Sequence, residues 1–99
     1  MARIALAPEV LDDFARFLRH MGRFEVGDAP ARIDEIVQAV QILEHSPLIG
    51  RPVRGGKREL VIGRESRGYV ALYRFVAGID TIFVLAVRSQ RESGYKHEH

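Results

Sequence analysis

Cysteine is absent from this 99-residue chain, so no disulfide framework exists and nothing calls for an oxidising compartment. A reducing cytoplasm is the default setting. No apolar run approaches the roughly 20 residues needed to cross a bilayer, so no membrane contact is expected. The N-terminus lacks the layout of a signal peptide. The glycine-rich dinucleotide motif, the P-loop and the zinc-protease motif are all missing. Ser46, Ser66, Ser89 and Ser93 have no histidine and carboxylate arranged nearby to make a nucleophile. His97 and His99 have the spacing of metal ligands but fall in a terminal tail, and His20 and His45 sit at helix ends that favour a cation. No metal and no cofactor is therefore expected. Internal repeats and low-complexity tracts are also lacking.

What is present is ordinary in amount and uneven in arrangement. An apolar share of 46% and a charged share of 28% describe a globular chain. Its length suits one domain over residues 1–99, with residues 95–99 expected as a mobile tail. Up to Leu48 five basic residues face eight acidic ones, a balance of −3; from Ile49 onward ten face five, a balance of +5. A basic back half suits an anionic partner, either nucleic acid or an acidic protein segment.

The pattern along the chain gives the order β-α-α-β-β-β. Arg3 to Ala7 alternates as a strand does. Pro8 opens a helix where a missing N–H costs nothing, and Val10, Leu11, Phe14, Phe17, Leu18 and Met21 form its apolar stripe up to Gly22. Asp12 and Asp13 in its early turns suit the helix dipole. After a connection from Arg23 to Gly27, Asp28 is placed to cap a second helix with Pro30 in its first turn. Ile33, Ile36, Val37, Val40 and Leu43 face inward, and Ser46-Pro47 ends the helix. Pro47 to Lys57 reads as a loop, Arg58 to Ile62 as a strand, and Gly63 to Gly68 as a charged turn. The fold class is α+β: an N-terminal strand, an antiparallel helical hairpin, then a three-stranded antiparallel meander in one sheet.

The last two strands allow a register to be assigned. With a turn over Ala77 to Asp80, and Gly78 supplying any unusual backbone angle, Val76 faces Thr81, Arg74 faces Phe83, Leu72 faces Leu85 and Val70 faces Val87. The other side then carries Tyr69, Ala71, Tyr73 and Phe75 opposite Arg88, Ala86, Val84 and Ile82. Both sides are largely apolar, whereas one helical layer covers only one of them. The uncovered face is expected to bind a protein partner; the alternative is that the Pro47 to Lys57 loop, the tail or a second copy of the chain covers it. Beyond it, Arg88-Ser89-Gln90-Arg91-Glu92-Ser93-Gly94-Tyr95 ends the strand with groups suited to an anionic target: arginines for phosphate, and a tyrosine for stacking or proton transfer.

Taken together these features resemble the RelE/ParE superfamily, the toxins of bacterial type II toxin–antitoxin modules, some of which serve plasmid stabilisation. The resemblance runs from Arg3 to Tyr95. It rests on the element order, on Ser46-Pro47-Leu48-Ile49-Gly50-Arg51 after the second helix, and on Arg58-Glu59-Leu60. Gly68-Tyr69 opening the strand with Leu72-Tyr73-Arg74, and the VLAVRSQRESGY ending, complete it. It implies a small toxin held inactive, as a hetero-oligomer, by a cognate antitoxin whose acidic C-terminal segment wraps across it. Val70, Leu72, Arg74, Phe83 and Leu85 are the expected antitoxin contacts, and Arg88, Arg91 and Tyr95 the expected target contacts.

Two branches of the family differ in chemistry. RelE-like toxins cut messenger RNA on the ribosome; their pattern has a basic residue after the Gly-Tyr, lysines on the preceding strand, and an arginine and tyrosine after the last strand. Here Val70 follows Gly68-Tyr69 and cannot stabilise a phosphorane-like charge. The preceding strand offers Arg58 without a lysine pair. A nuclease would have to rely on Arg58, Arg74, Arg91 and Tyr95. ParE-like toxins instead bind DNA gyrase without chemistry of their own, and the missing bases favour that branch. A third possibility is a non-toxic module that only binds antitoxin.

Overall fold

The computed structural model describes residues 1–24, 29–63 and 68–96. Most of the expected connection after Arg23, the Asp28 cap, the charged turn after Gly63, and His97 and His99 lie outside them. Strand β1 (Arg3–Leu6) leads into helix α1 (Pro8–Phe24), and helix α2 (Ala29–Gln41) ends in a 3₁₀ turn at Ile42–Glu44. Strands β2 (Arg51–Val53), β3 (Lys57–Ile62), β4 (Tyr69–Val76) and β5 (Thr81–Ser89) follow. Pro8 starts α1 as anticipated, but the helix runs through Gly22 to Phe24.

The strands form one five-stranded mixed sheet in the order β1-β5-β4-β3-β2. This corrects the expected three-stranded meander in two ways. The N-terminal strand joins the sheet parallel to β5, beside the last strand of the chain. An extra strand, β2, pairs with β3 inside the segment read as loop. Three residues are too few to show alternation, and Pro52 argues against a strand; an edge position tolerates it. Gly55 and Gly56, at φ +85° and +72°, turn the chain between β2 and β3 in a region that side chains avoid.

In the β4–β5 hairpin the expected register holds from Val76↔Thr81 to Tyr73↔Val84 and then breaks at a bulge. Leu72 faces Ala86, Ala71 faces Val87, and Val70 faces Arg88, each one residue further along β5 than anticipated. An inserted residue leaves no mark in hydrophobic alternation when both sides of a strand are apolar. The turn lies where expected, but Asp80 at φ +48° takes the left-handed position, not Gly78.

The helices cover one face of the sheet. Tyr69, Ala71, Tyr73, Ile82, Val84 and Val87 pack there against Val10, Phe17, Ile36, Val40 and Leu43. Of the expected α1 stripe, Val10 and Phe17 are buried, while Leu11 and Leu18 remain 60% and 43% exposed. The helix is rotated so that Asp13, fully buried, takes a core position. Its Oδ2 accepts the Val87 N–H at 2.9 Å, just past the bulge. A bulge disturbs the ladder, and a carboxylate reaching across from α1 satisfies the donor left beside it.

Candidate functional site

Part of the opposite face of the sheet, around Arg88 and Glu59, is met by the chain's own C-terminal residues. Arg88, paired with Val70 across the sheet, donates to the carbonyls of Ser89 and Glu92 at 3.2 and 3.0 Å and lies 5.3 Å from the Tyr95 ring centroid. The Tyr95 hydroxyl donates to Glu59 Oε2 at 2.6 Å, and Arg51 donates to Glu59 Oε1 at 3.0 Å. Glu59 in turn faces Leu72 across the β3–β4 pair. Val70 and Leu72, beside these anchors, are 2% and 5% exposed. In the chain alone they are therefore buried and not open surface. Tyr95 is likewise packed back on the sheet through its hydroxyl. Arg74, Phe83 and Leu85, further along the hairpin, stay half-buried and within reach of another chain.

Electrostatics follows this packing. Burial alone would raise the Glu59 carboxyl, but the hydrogen bonds from Tyr95 and Arg51 outweigh it and hold the group below its ordinary range. Burial, and the hydrogen bond to Glu59, push the Tyr95 phenol well above its ordinary value. A phenol donating to a carboxylate in this way stays protonated at neutral pH and makes a poor base.

Of the four residues a nuclease would require, Arg58 and Arg74 fall on opposite faces of the sheet. Arg58 shares the helix-side face with Tyr73, and its Nη1 donates to the carbonyls of Leu48 and Gly50 at 3.1 and 2.8 Å. Arg74 is on the other face, donating to the Gly55 carbonyl at 2.9 Å. Tyr95 is engaged by Glu59, and Arg91 stands exposed on the turn after β5. The loop that Arg58 binds is wired further by Tyr73, whose hydroxyl donates to the Pro47 carbonyl at 2.8 Å and accepts from the Gly50 N–H at 2.9 Å. Only glycine fits at position 50, since a Cβ there would lie 2.6 Å from the Tyr73 ring.

A second feature was not anticipated. Between α1, α2 and the β1 edge lies an apolar cleft of about 270 Å³, lined by Ile4, Leu6, Val10, Phe14, Ile36, Val37 and Val40 among others. Leu6, at the free edge, is 45% exposed, and Leu11 and Leu18 continue apolar surface along α1. The available signal was the width of the α1 stripe, which spans more of the helix than one sheet can cover. Among the described residues no group of acidic and histidine side chains is placed to hold a metal ion. No described helix is long and apolar enough to cross a membrane.

Comparison with known proteins places this architecture. A structure of the chromosomal ParDE toxin–antitoxin system of P. aeruginosa superposes with a TM-score of 0.75 at 20% identity, over 90% of this chain and 96% of that one. The intact RelBE toxin–antitoxin complex of E. coli gives 0.63 at 15% identity, over 93% and 100%. The RelBE2 complex of Mycobacterium tuberculosis gives 0.51 at 22%, over 90% and 98%. At these identities the likeness is one of fold. A comparison with curated protein sequences gives no match. The profile of the ParE toxin of type II toxin–antitoxin systems, however, matches residues 4–94, nearly the whole fold described above. The chain belongs to the ParE toxin family.

Proposed function

We propose that this chain is a cytoplasmic growth-inhibiting toxin that binds DNA gyrase and is neutralised by a cognate antitoxin in a hetero-oligomer. The observation that carries the choice of mechanism is the dispersal of the nuclease candidates: Arg58 and Arg74 are on opposite faces of the sheet, and the Tyr95 phenol is committed to Glu59. Charge stabilisation of a phosphoryl transition state needs its donors converged on one point. A binding mechanism needs only a held surface, and the tail with Arg88, exposed Arg91 and Tyr95 supplies one. The antitoxin is assigned to the apolar cleft at α1 and α2, with Arg74, Phe83 and Leu85 as a secondary contact for an acidic segment. Supercoiling by purified gyrase tests this directly. Inhibition by excess chain, relieved by antitoxin, is expected, and undiminished supercoiling refutes the gyrase target.

One observation favours a second reading, a ribosome-dependent messenger RNA endoribonuclease: Arg91 is exposed and only four positions before Tyr95. Primer extension would then reveal cuts that vanish in Arg91→Ala and Tyr95→Phe. A non-toxic antitoxin-binding module is separated from both by expressing the chain alone in a bacterial host, where absence of growth arrest would identify it.

A further inference from the structure

The tail that carries Arg91 and Tyr95 is joined to helix α1 by a continuous chain of polar contacts. Asp13 is anchored in the core by the Val87 N–H, and its Oδ1 accepts from Arg16 Nη1 at 2.6 Å. The other arm of the guanidinium, Nη2, donates to Glu92 Oε1 at 3.0 Å. That same carboxylate oxygen accepts the Ser89 N–H at 2.9 Å, which closes the turn holding Gln90 and Arg91. The Glu92 carbonyl accepts from Arg88, and Arg88 lies against Tyr95. Lys96 adds a looser contact to Glu92 Oε2 at 3.7 Å.

From this geometry we infer that Arg16 is a positioning residue: it locks the C-terminal tail to α1 and so sets the placement of Arg91 and Tyr95 for their target. A planar guanidinium holds two carboxylates at once in a fixed orientation, as an ammonium does not. The side chain is only 22% exposed, and the Phe17 ring lies 4.9 Å from its guanidinium carbon, so the fork has little freedom to turn. Burial would raise the Glu92 carboxyl, yet the Ser89 N–H and Arg16 together hold it lower than usual. Arg16 ties the tail to α1 through this hydrogen-bonded ion pair with Glu92. The turn's placement thus depends on a residue more than 70 positions earlier in the chain.

The consequence for activity rests on the proposed function; the lock itself does not. The test compares the full chain with Arg16→Met and Arg16→Lys, reading hydrogen exchange of residues 89–96 and growth arrest at matched folded protein levels. Arg16→Met should raise tail exchange at least tenfold, leave the centre of the β4–β5 ladder protected, and lower toxic potency while antitoxin affinity is retained. Arg16→Lys should fall between the two. Should Arg16→Met not fold, Glu92→Gln, which keeps an acceptor for Ser89 but loses the charge, is read the same way. Unchanged tail protection in the Met variant overturns the lock. Lost protection with full potency overturns the positioning role. If the unmodified chain arrests nothing, the toxin reading falls, and the exchange measurement then decides the lock on its own.

Discussion

The two faces of this sheet are closed by opposite means. On one, α1 and α2 bury apolar side chains and yet leave a cleft and exposed leucines along the β1 edge. On the other, where no described helix packs, Val70 and Leu72 are buried beside a short polar tail held by a carboxylate, a phenol and arginines. Apolar packing is non-directional and tolerates a partner that adds to it. A hydrogen-bonded strap has one geometry and holds its side chains in one place. The helical face is thus suited to receiving another polypeptide, and the strapped face to presenting fixed groups to a target.

Asp13 is the point where the two faces are connected, and its loss should have the largest effect. Asp13→Ala leaves the Val87 N–H and the Arg16 guanidinium without their shared acceptor inside the core. Breaking a buried pair from one side costs about 3–5 kcal/mol. For a domain of this size each kcal/mol moves Tm by roughly 4–8 °C, so calorimetry should find a drop well above 10 °C, or an unfolded chain. A drop of only a few degrees would mean that the faces are joined mainly by apolar packing.

Charging the cleft should separate binding from stability. Val37 lines it and is half-buried, so a carboxylate there reaches solvent when the chain is alone but would be buried under a partner. Val37→Glu is expected to weaken antitoxin binding at least a hundredfold, about 2.7 kcal/mol, with growth arrest retained and no longer relieved. Titration calorimetry with the antitoxin checks it. Unchanged affinity would move the antitoxin to the Arg74, Phe83 and Leu85 end of the sheet.

Tyr73→Phe should act more locally. Its hydroxyl both donates to Pro47 and accepts from Gly50, and removing it leaves two backbone groups unpaired, at about 1–3 kcal/mol. Faster amide exchange at Gly50, with the tail unaffected, is the expected signature. Equal loosening of the tail would show that the two faces are not independent.

How much of this was legible in the residues follows the same division. The start of α1, the order of the elements apart from β2, and the outer half of the hairpin register depend on local periodicity and on Pro8, and they could be read; the place of β1 beside β5 could not. The bulge could not, because Leu85 is apolar and sits among apolar neighbours, so inserting it disturbs no pattern. Asp13 looked like an early-turn acid suited to the helix dipole; its partner is 74 positions away, and no local rule connects a helix carboxylate to an orphaned strand amide. Among the site residues, the surplus of apolar sheet face was visible and the tail was one candidate cover for it, but no pattern singled the tail out over a protein partner. That tail is polar, and its docking depends on Glu59, which alternation alone marks only as a solvent-facing strand residue.

The smallest expected effect is the response of the strap to acid. Glu59 and Glu92 both have folded-state values below the ordinary carboxylate range, so each favours the folded tail above its unfolded value, about 4.3. That contribution is lost as pH falls from there through the lowered folded values. Lowering pH below about 4 should therefore release residues 90–96 before the core unfolds, visible as early loss of exchange protection at Ser89 and a change in the Tyr95 ring resonances. Arg16→Met should move that release to higher pH, because Glu92 then loses one of the two donors that hold it ionised. A single cooperative transition, with tail and core released together in both proteins, would show that the strap is an integral part of the fold.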